Sequence, residues 1–177
     1  GTSEVKLVEL SSVNNDAVVS KIHSKSTWND LNSFDPEKLE RANWVACIKD
    51  LCEESKLYPK KIKTIITAIP GKNLSVKEIT ILEMAEEELL QSLEFEAKKH
   101  IPLDGTDAII DYHHLGVNNK EIDKINVLLA STTKNIIREH ATLITNSGFK
   151  PNIFDSDSVA ISNNYQFNNE LPEEGTD

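Results

Sequence analysis

"SLEFEAKKHIPLDGTDAIIDYHHLG", residues 92–116, reads as a helix, a proline stop at Pro102, a short turn and a strand. Just upstream, Glu86, Glu87 and Glu88 put negative charge where the helix begins, and Lys98, Lys99 and His100 put positive charge where it ends. Both complement the helix dipole. Leu89, Leu90, Leu93, Ala97 and Ile101 fall within one sector of about 120°, at roughly 100° per residue, which predicts an amphipathic helix laid on a sheet. Phe95 stands about 200° from Leu93, among Glu88, Gln91, Ser92, Lys98 and Lys99. Two uses compete for it: cover by a further layer of the fold, or contact with a partner, where aromatic anchors dominate the energetics.

Strands flank this helix on both sides. "NLSVKEITIL" (73–82) precedes it, and "DAIIDYHHLG" (107–116) and "IDKINVLLAST" (122–132) follow. The run from Val127 to Ala130 suits a sheet interior. Ser131 and Thr132 are capping candidates for a helix through Ile136, Ile137, Ala141 and Ile144, which Gly148 ends as a C′ residue. Further out, "EVKLVELSS" (4–12) and "AVVSKIHSKST" (17–27) read as a hairpin turned at Asn14-Asn15-Asp16. Asp35 and Pro36 read as an N-cap and first helical residue, opening a helix that carries Trp44, Ile48, Leu51 and Cys52 and ends before Pro59. "KTIITAIPG" (63–71) is nearly all apolar and predicts a central strand buried on both faces. "KPNIFD" is a last short strand, and Asp155 and Ser156 can cap a final helix through Val159, Ile161 and Tyr165. The order ββαβ, βαββα, βα implies an α/β fold in which a block near 74–149 is inserted into a parent domain.

Composition bounds the function. At 177 residues the chain can bury one good core or two small ones. Its net charge of -10 argues against nucleic-acid binding, which needs a basic face, and against a polybasic membrane anchor. No apolar run approaches the roughly 18–20 residues of a spanning helix. Cys47 and Cys52 are five apart, with no Cys-x-x-Cys, and read as buried reduced thiols of a reducing compartment. The adjacent His113 and His114 would face opposite sides of a strand and cannot easily share a metal. Asp155-Ser156-Asp157 is explained more simply as a cap than as a cation site. No Ser/His/Asp grouping, Walker loop or Gly-x-Gly-x-x-Gly is present, so no catalytic residue, metal site or self-sufficient enzyme is expected. Met84 is the only methionine, and the chain closes on the acidic "ELPEEGTD". Both ends look cut, and a piece of a longer protein is expected.

"ILEMAEEELLQSLEFEAKKHIPLDGTDAIIDYHHLG" (81–116) resembles the hallmark stretch of the PilM family, the actin-like cytoplasmic components of type IV pilus assembly machines. The matching features are the acidic helix, Glu96-Ala97, His100-Ile101-Pro102 and Asp111-Tyr112, with His100 where an aromatic is usual. "NVLLASTTKNIIREHATLITNSGFKPNIFDSDSVAISN" (126–163) is similar to the stretch that follows in that family. "GTSEVKLVEL" (1–10) resembles the segment just after the family's first strand, where a hairpin wraps the nucleotide phosphates.

The resemblance implies an actin-like (ribonuclease H-like) subdomain 1A from residues 1–73 and 150–169, an inserted α+β subdomain 1C at 74–149, and a linker at 170–177 towards a second lobe. Carried over residue by residue, it makes Gly1, Thr2, Ser3 and Lys6 the phosphate-contacting candidates for ATP, with Mg, in the full-length protein. One lobe alone is expected to bind ATP weakly or not at all, and at most a weak ATPase is implied for the whole. The resemblance further implies a cytoplasmic scaffold, peripheral to the inner membrane, that binds the cytoplasmic tail of a PilN-like membrane protein. Phe95, Ile101 and Tyr112 are the candidate contacts. The alternative is a filament-forming ATP-binding relative typified by FtsA, which would self-associate through 1C.

Overall fold

A computed structural model describes residues 3–14, 16–28, 35, 38, 40–101 and 107–169. The chain splits into two compact units, 1–65 with 141–153, and 66–140 with 154–177. The cuts do not coincide with the expected 1A and 1C boundaries.

The first unit opens with β1 (Glu4–Val13) and β2 (Asp16–Ser26), an antiparallel hairpin pairing Glu4 with Ser26 and Val13 with Asp16. Asn14 takes the left-handed turn position with φ 53°, which asparagine tolerates better than most residues. Asn15 lies outside the described residues. Helix α1 (Arg41–Glu54) follows. Its start corrects the expectation at Asp35. The N-cap is Glu40, whose backbone N–H donates to Asn43 Oδ1 at 2.9 Å. The Asp35 carbonyl instead accepts from the Lys38 N–H at 3.1 Å, a local turn ahead of the helix. Pro36 is not among the described residues. An Asp-Pro pair marks a turn as readily as a cap, and the Glu40–Asn43 exchange sets the true boundary. Lys25 of β2 ties α1 to the hairpin, at 3.2 Å from Asp50 and 2.6 Å from Glu54. These carboxylates hold its ammonium above the usual lysine range.

The core of this unit joins Cys52, Leu57, Ile144 and Phe149, with Leu7, Ile48, Ile62 and Ile65 packed around them. Cys47 and Cys52 are buried free thiols, both raised in pKa by burial, as the sequence led one to expect. Neither is set up as a thiolate nucleophile.

The second unit holds β3 (Ile66–Ile69), which pairs with β7 (Ile153–Ser156) in a two-stranded sheet. This corrects the expectation of a central strand buried on both faces. Only Ile69 is buried, and Ile66 is 61% exposed. The apolar run divides instead: Ile62 and Ile65 pack into the first unit's core, so the continuous pattern does not describe one strand.

A separate three-stranded antiparallel sheet has the order β4 (Ser75–Leu82), β6 (Lys124–Thr133), β5 (Ala108–Val117). Its pairings include Ile79 with Val127 and Tyr112 with Leu129. The central strand β6 turns Ile125, Val127 and Leu129 to one face, all nearly inaccessible. Helix α2 (Glu86–Ala97) covers that face with Leu89, Leu93 and Ala97. Leu90 and Ile101 were read on the same stripe, but Leu90 is 38% exposed and Ile101 half-buried. Burial of the three inner side chains contributes on the order of 1.5–3 kcal/mol for each leucine.

Helix α3 (Lys134–Asn146) follows β6 without an intervening loop. The expected caps Ser131 and Thr132 lie inside β6. The capping hydroxyl is that of Thr133, which accepts from the Ile136 N–H at 3.4 Å. Thr132 instead donates to the Asn73 carbonyl at 2.6 Å. Three adjacent hydroxyl residues offered the same cap, and the strand ran further than the apolar run showed. Gly148 closes α3 with φ 93°. Helix α4 (Asp157–Asn168) is capped by Ser156, whose hydroxyl accepts from Val159 N–H at 3.4 Å. Asp157 accepts from the Gly71 N–H at 3.1 Å, so it has a structural partner. No cluster of three potential metal ligands exists among the described residues.

Candidate partner-binding groove

Helix α2 has a second face beside its buried one. Glu88, Ser92 and Phe95 recur at helical spacing and, with Gln91, line an open groove of about 570 Å³. Its other wall comes from Ile81 of β4 and from Met84, in the turn before the helix. Met84 precedes the N-cap Ala85 and packs with Leu89 against the core, as a hydrophobic staple does. The Ser92 hydroxyl lies 3.6 Å from the Met84 sulfur, which places the thioether along the groove.

Phe95 is 67% exposed, so no layer of the described fold covers it. Lys99, one turn on, holds its ammonium 5.2 Å from the ring centroid, a cation–π contact worth about 0.5–1 kcal/mol at an exposed site. The same ammonium bonds Glu96 at 2.6 Å. That bond, helped by His100, holds the Glu96 carboxyl below the usual range. His100 Nδ1 accepts from Lys77 Nζ at 3.1 Å. The groove therefore has an apolar floor of Ile81, Met84 and Phe95, carboxylates at Glu88 and Glu96, and ammonium groups gathered at the C-terminal end of α2. Such a surface can seat an apolar anchor from an extended segment and fix its direction by charge.

Of the three expected partner contacts, the structure puts Phe95 in the groove. Tyr112 packs against the core beneath α2, and Ile101 is half-buried beyond the helix end. Neither lines the groove. Ile81 and Met84 were not singled out from sequence. The signal available was the odd register of β4, whose Ile79 and Ile81 alternate towards the helix, and a methionine at a staple position.

The phosphate candidates lie at the other end of the chain. Gly1 and Thr2 are outside the described residues. Ser3 is exposed, and its carbonyl accepts from the Thr27 N–H at 2.9 Å. Lys6 is exposed, with its ammonium 3.7 Å from Glu4. No described helix is long and apolar enough to cross a membrane.

The whole chain, residues 1–177, matches the family described as type IV pilus assembly protein PilM. The chain belongs to the PilM family. Among solved structures it is similar to a chain of a PilM–PilN type IV pilus biogenesis complex. That likeness has a TM-score of 0.70 and 20% identity, over 90% of this chain and 46% of the other. It is also similar to the cytoplasmic domain of EpsL, an inner-membrane component of the type II secretion system of Vibrio cholerae. There the TM-score is 0.52 at 12% identity, over 89% of this chain and 54% of the other. The chain thus spans about half the length of these two solved chains. At such identities the likeness speaks for the fold, and the α/β, actin-like class expected from sequence is the fold found.

Proposed function

We propose that this chain serves type IV pilus assembly as a scaffold lobe that takes the short cytoplasmic tail of a PilN-like membrane protein. The observation that carries this reading is the whole-chain family match, joined to a solved likeness titled as a PilM–PilN complex. The groove of Ile81, Met84 and Phe95 is our proposed seat for part of that tail. Ile101 and Tyr112 would act behind it, by holding α2 on its sheet. The subdomain reading stays as proposed from the resemblance: 1–73 and 150–169 as 1A, 74–149 as 1C, and 170–177 as linker. ATP, with Mg, would belong to the two-lobed protein, with Gly1, Thr2, Ser3 and Lys6 on this lobe's side. The scaffold would be cytoplasmic and held at the inner membrane through its partner.

The test is a titration of the chain with a labelled PilN-type tail peptide, followed by anisotropy. Saturable binding that weakens at least tenfold in Phe95→Ala supports the groove as the seat. Binding that Phe95→Ala leaves intact moves the seat elsewhere, and no binding at all removes the scaffold reading for this lobe.

A further inference from the structure

The acidic excess of the chain is unevenly spread. Between Glu54 and Glu78 stand Lys56, Lys60, Lys61, Lys63, Lys72 and Lys77, with no carboxylate among the intervening residues. A second acid-free stretch, from His140 to Phe154, carries Lys150.

The first unit brings the two stretches together. A side-chain carbon added at Gly148 would stand 3.6 Å from the Pro59 ring, Leu57 and Phe149 share one core, and Asn152 Oδ1 accepts the Ile65 N–H at 3.0 Å. Lys56, Lys60, Lys61, Lys63 and Lys150 are all exposed. None forms an ion pair with another described residue. Elsewhere among the described residues Lys6, Lys21, Lys25, Lys38, Lys99, Lys124 and Lys134 face a carboxylate, while Lys49, Lys72, Lys77, Lys98 and Lys120 do not. Tyr58 is 60% exposed in the middle of this group, with Lys61 Nζ 5.2 Å from its ring centroid. An open groove of about 460 Å³ runs beside it, past Lys56, Leu57 and Pro59, and among the described residues Glu53 is its one carboxylate.

We infer that this lysine–tyrosine face docks on an anionic lipid surface. Charge complementarity selects the occupant. The five cations are all lysines, compact point charges on long stems. They follow a diffuse negative field, and they lack the planar fork by which arginine holds one particular carboxylate or phosphate. A tyrosine among them supplies an apolar ring with a polar tip, the kind of side chain that settles at headgroup depth. An anionic leaflet attracts such a group within a Debye length of its surface. The net charge of -10 had argued against a polybasic contact. That sum averages over the chain, and among the described residues this face has the opposite sign. The inference is independent of the α2 groove, which lies in the other unit.

Sedimentation with vesicles tests it. The 177-residue chain should pellet with phosphatidylcholine–phosphatidylglycerol vesicles, be released by added salt, and ignore pure phosphatidylcholine. Neutralising Lys56, Lys60, Lys61 and Lys63 to Gln should lower partitioning about fivefold for each lysine removed. The equal change at Lys98, Lys120, Lys124 and Lys134 should lower it far less. Circular dichroism checks that both variants are folded, and PilN-type peptide binding should survive in the first. Equal binding to both vesicle types, no binding to the anionic ones, or equal loss in both variants overturns the inference. So does a chain that ignores vesicles and captures an acidic peptide.

Discussion

Leu93 is fully inaccessible, and Phe95, two residues on in the same helix, is 67% exposed. Truncating the first should cost about 2–5 kcal/mol, because Leu93→Ala leaves a cavity among Leu89, Val127 and Leu129. Truncating the second should cost no more than about 1 kcal/mol, the worth of its exposed cation–π contact with Lys99. Urea denaturation of the two variants checks both. A large loss for Phe95→Ala would mean that something covers the ring. The helical phase of Phe95 was legible in sequence, because period alone separates it from the leucines. Its groove partners were not, since Ile81 and Met84 come from another element, and pairing is written only in the fold.

His140 gives a second test at a single side chain. Its Nε2 lies 3.0 Å from Thr67 Oγ1, and Phe154 meets its ring edge-on at 6.0 Å. Burial lowers its pKa from 6.5. The unfolded chain therefore takes up the proton first as pH falls. Stability from the neutral ring is full above about 6.5 and is lost as pH drops through that value towards the folded one. Denaturation at about pH 7.5 and about pH 5.5 should show the fall, and His140→Gln should flatten it. An unchanged slope in that variant would assign the pH dependence to other groups.

Helix ends were harder to read than helix bodies. The acidic start and basic finish of α2 identified it because many charges agree along its length. A cap rests on one hydroxyl, so Ser131 and Thr132 were read as caps for α3, and only the end of β6 showed Thr133 in that place. Asp35 misled in the same way at α1. Gly148 was legible because the conformation needed there is nearly closed to other residues. With φ 93°, Gly148→Ala should destabilise by about 1–2 kcal/mol. Thermal melts would detect this as a lower midpoint. No shift would show that the turn relaxes without cost.

The chain as a whole is two compact units and about half the length of the solved chains it resembles. The order of its elements was readable, since each strand and helix carries its own period. The exposure of β3 was not, because an apolar run does not say which of its residues the fold will cover. An actin-like nucleotide site closes between two lobes, so calorimetry of this chain with ATP and Mg should show weak binding or none. Tight binding would mean that the lobe carries a complete nucleotide site.

Met84 has a use that follows from its being solitary. A carbon-13 label on its methyl group would give one resonance in the entire spectrum. That resonance reports from the wall of the α2 groove, so any molecule entering there must move it, and any molecule held elsewhere should leave it still.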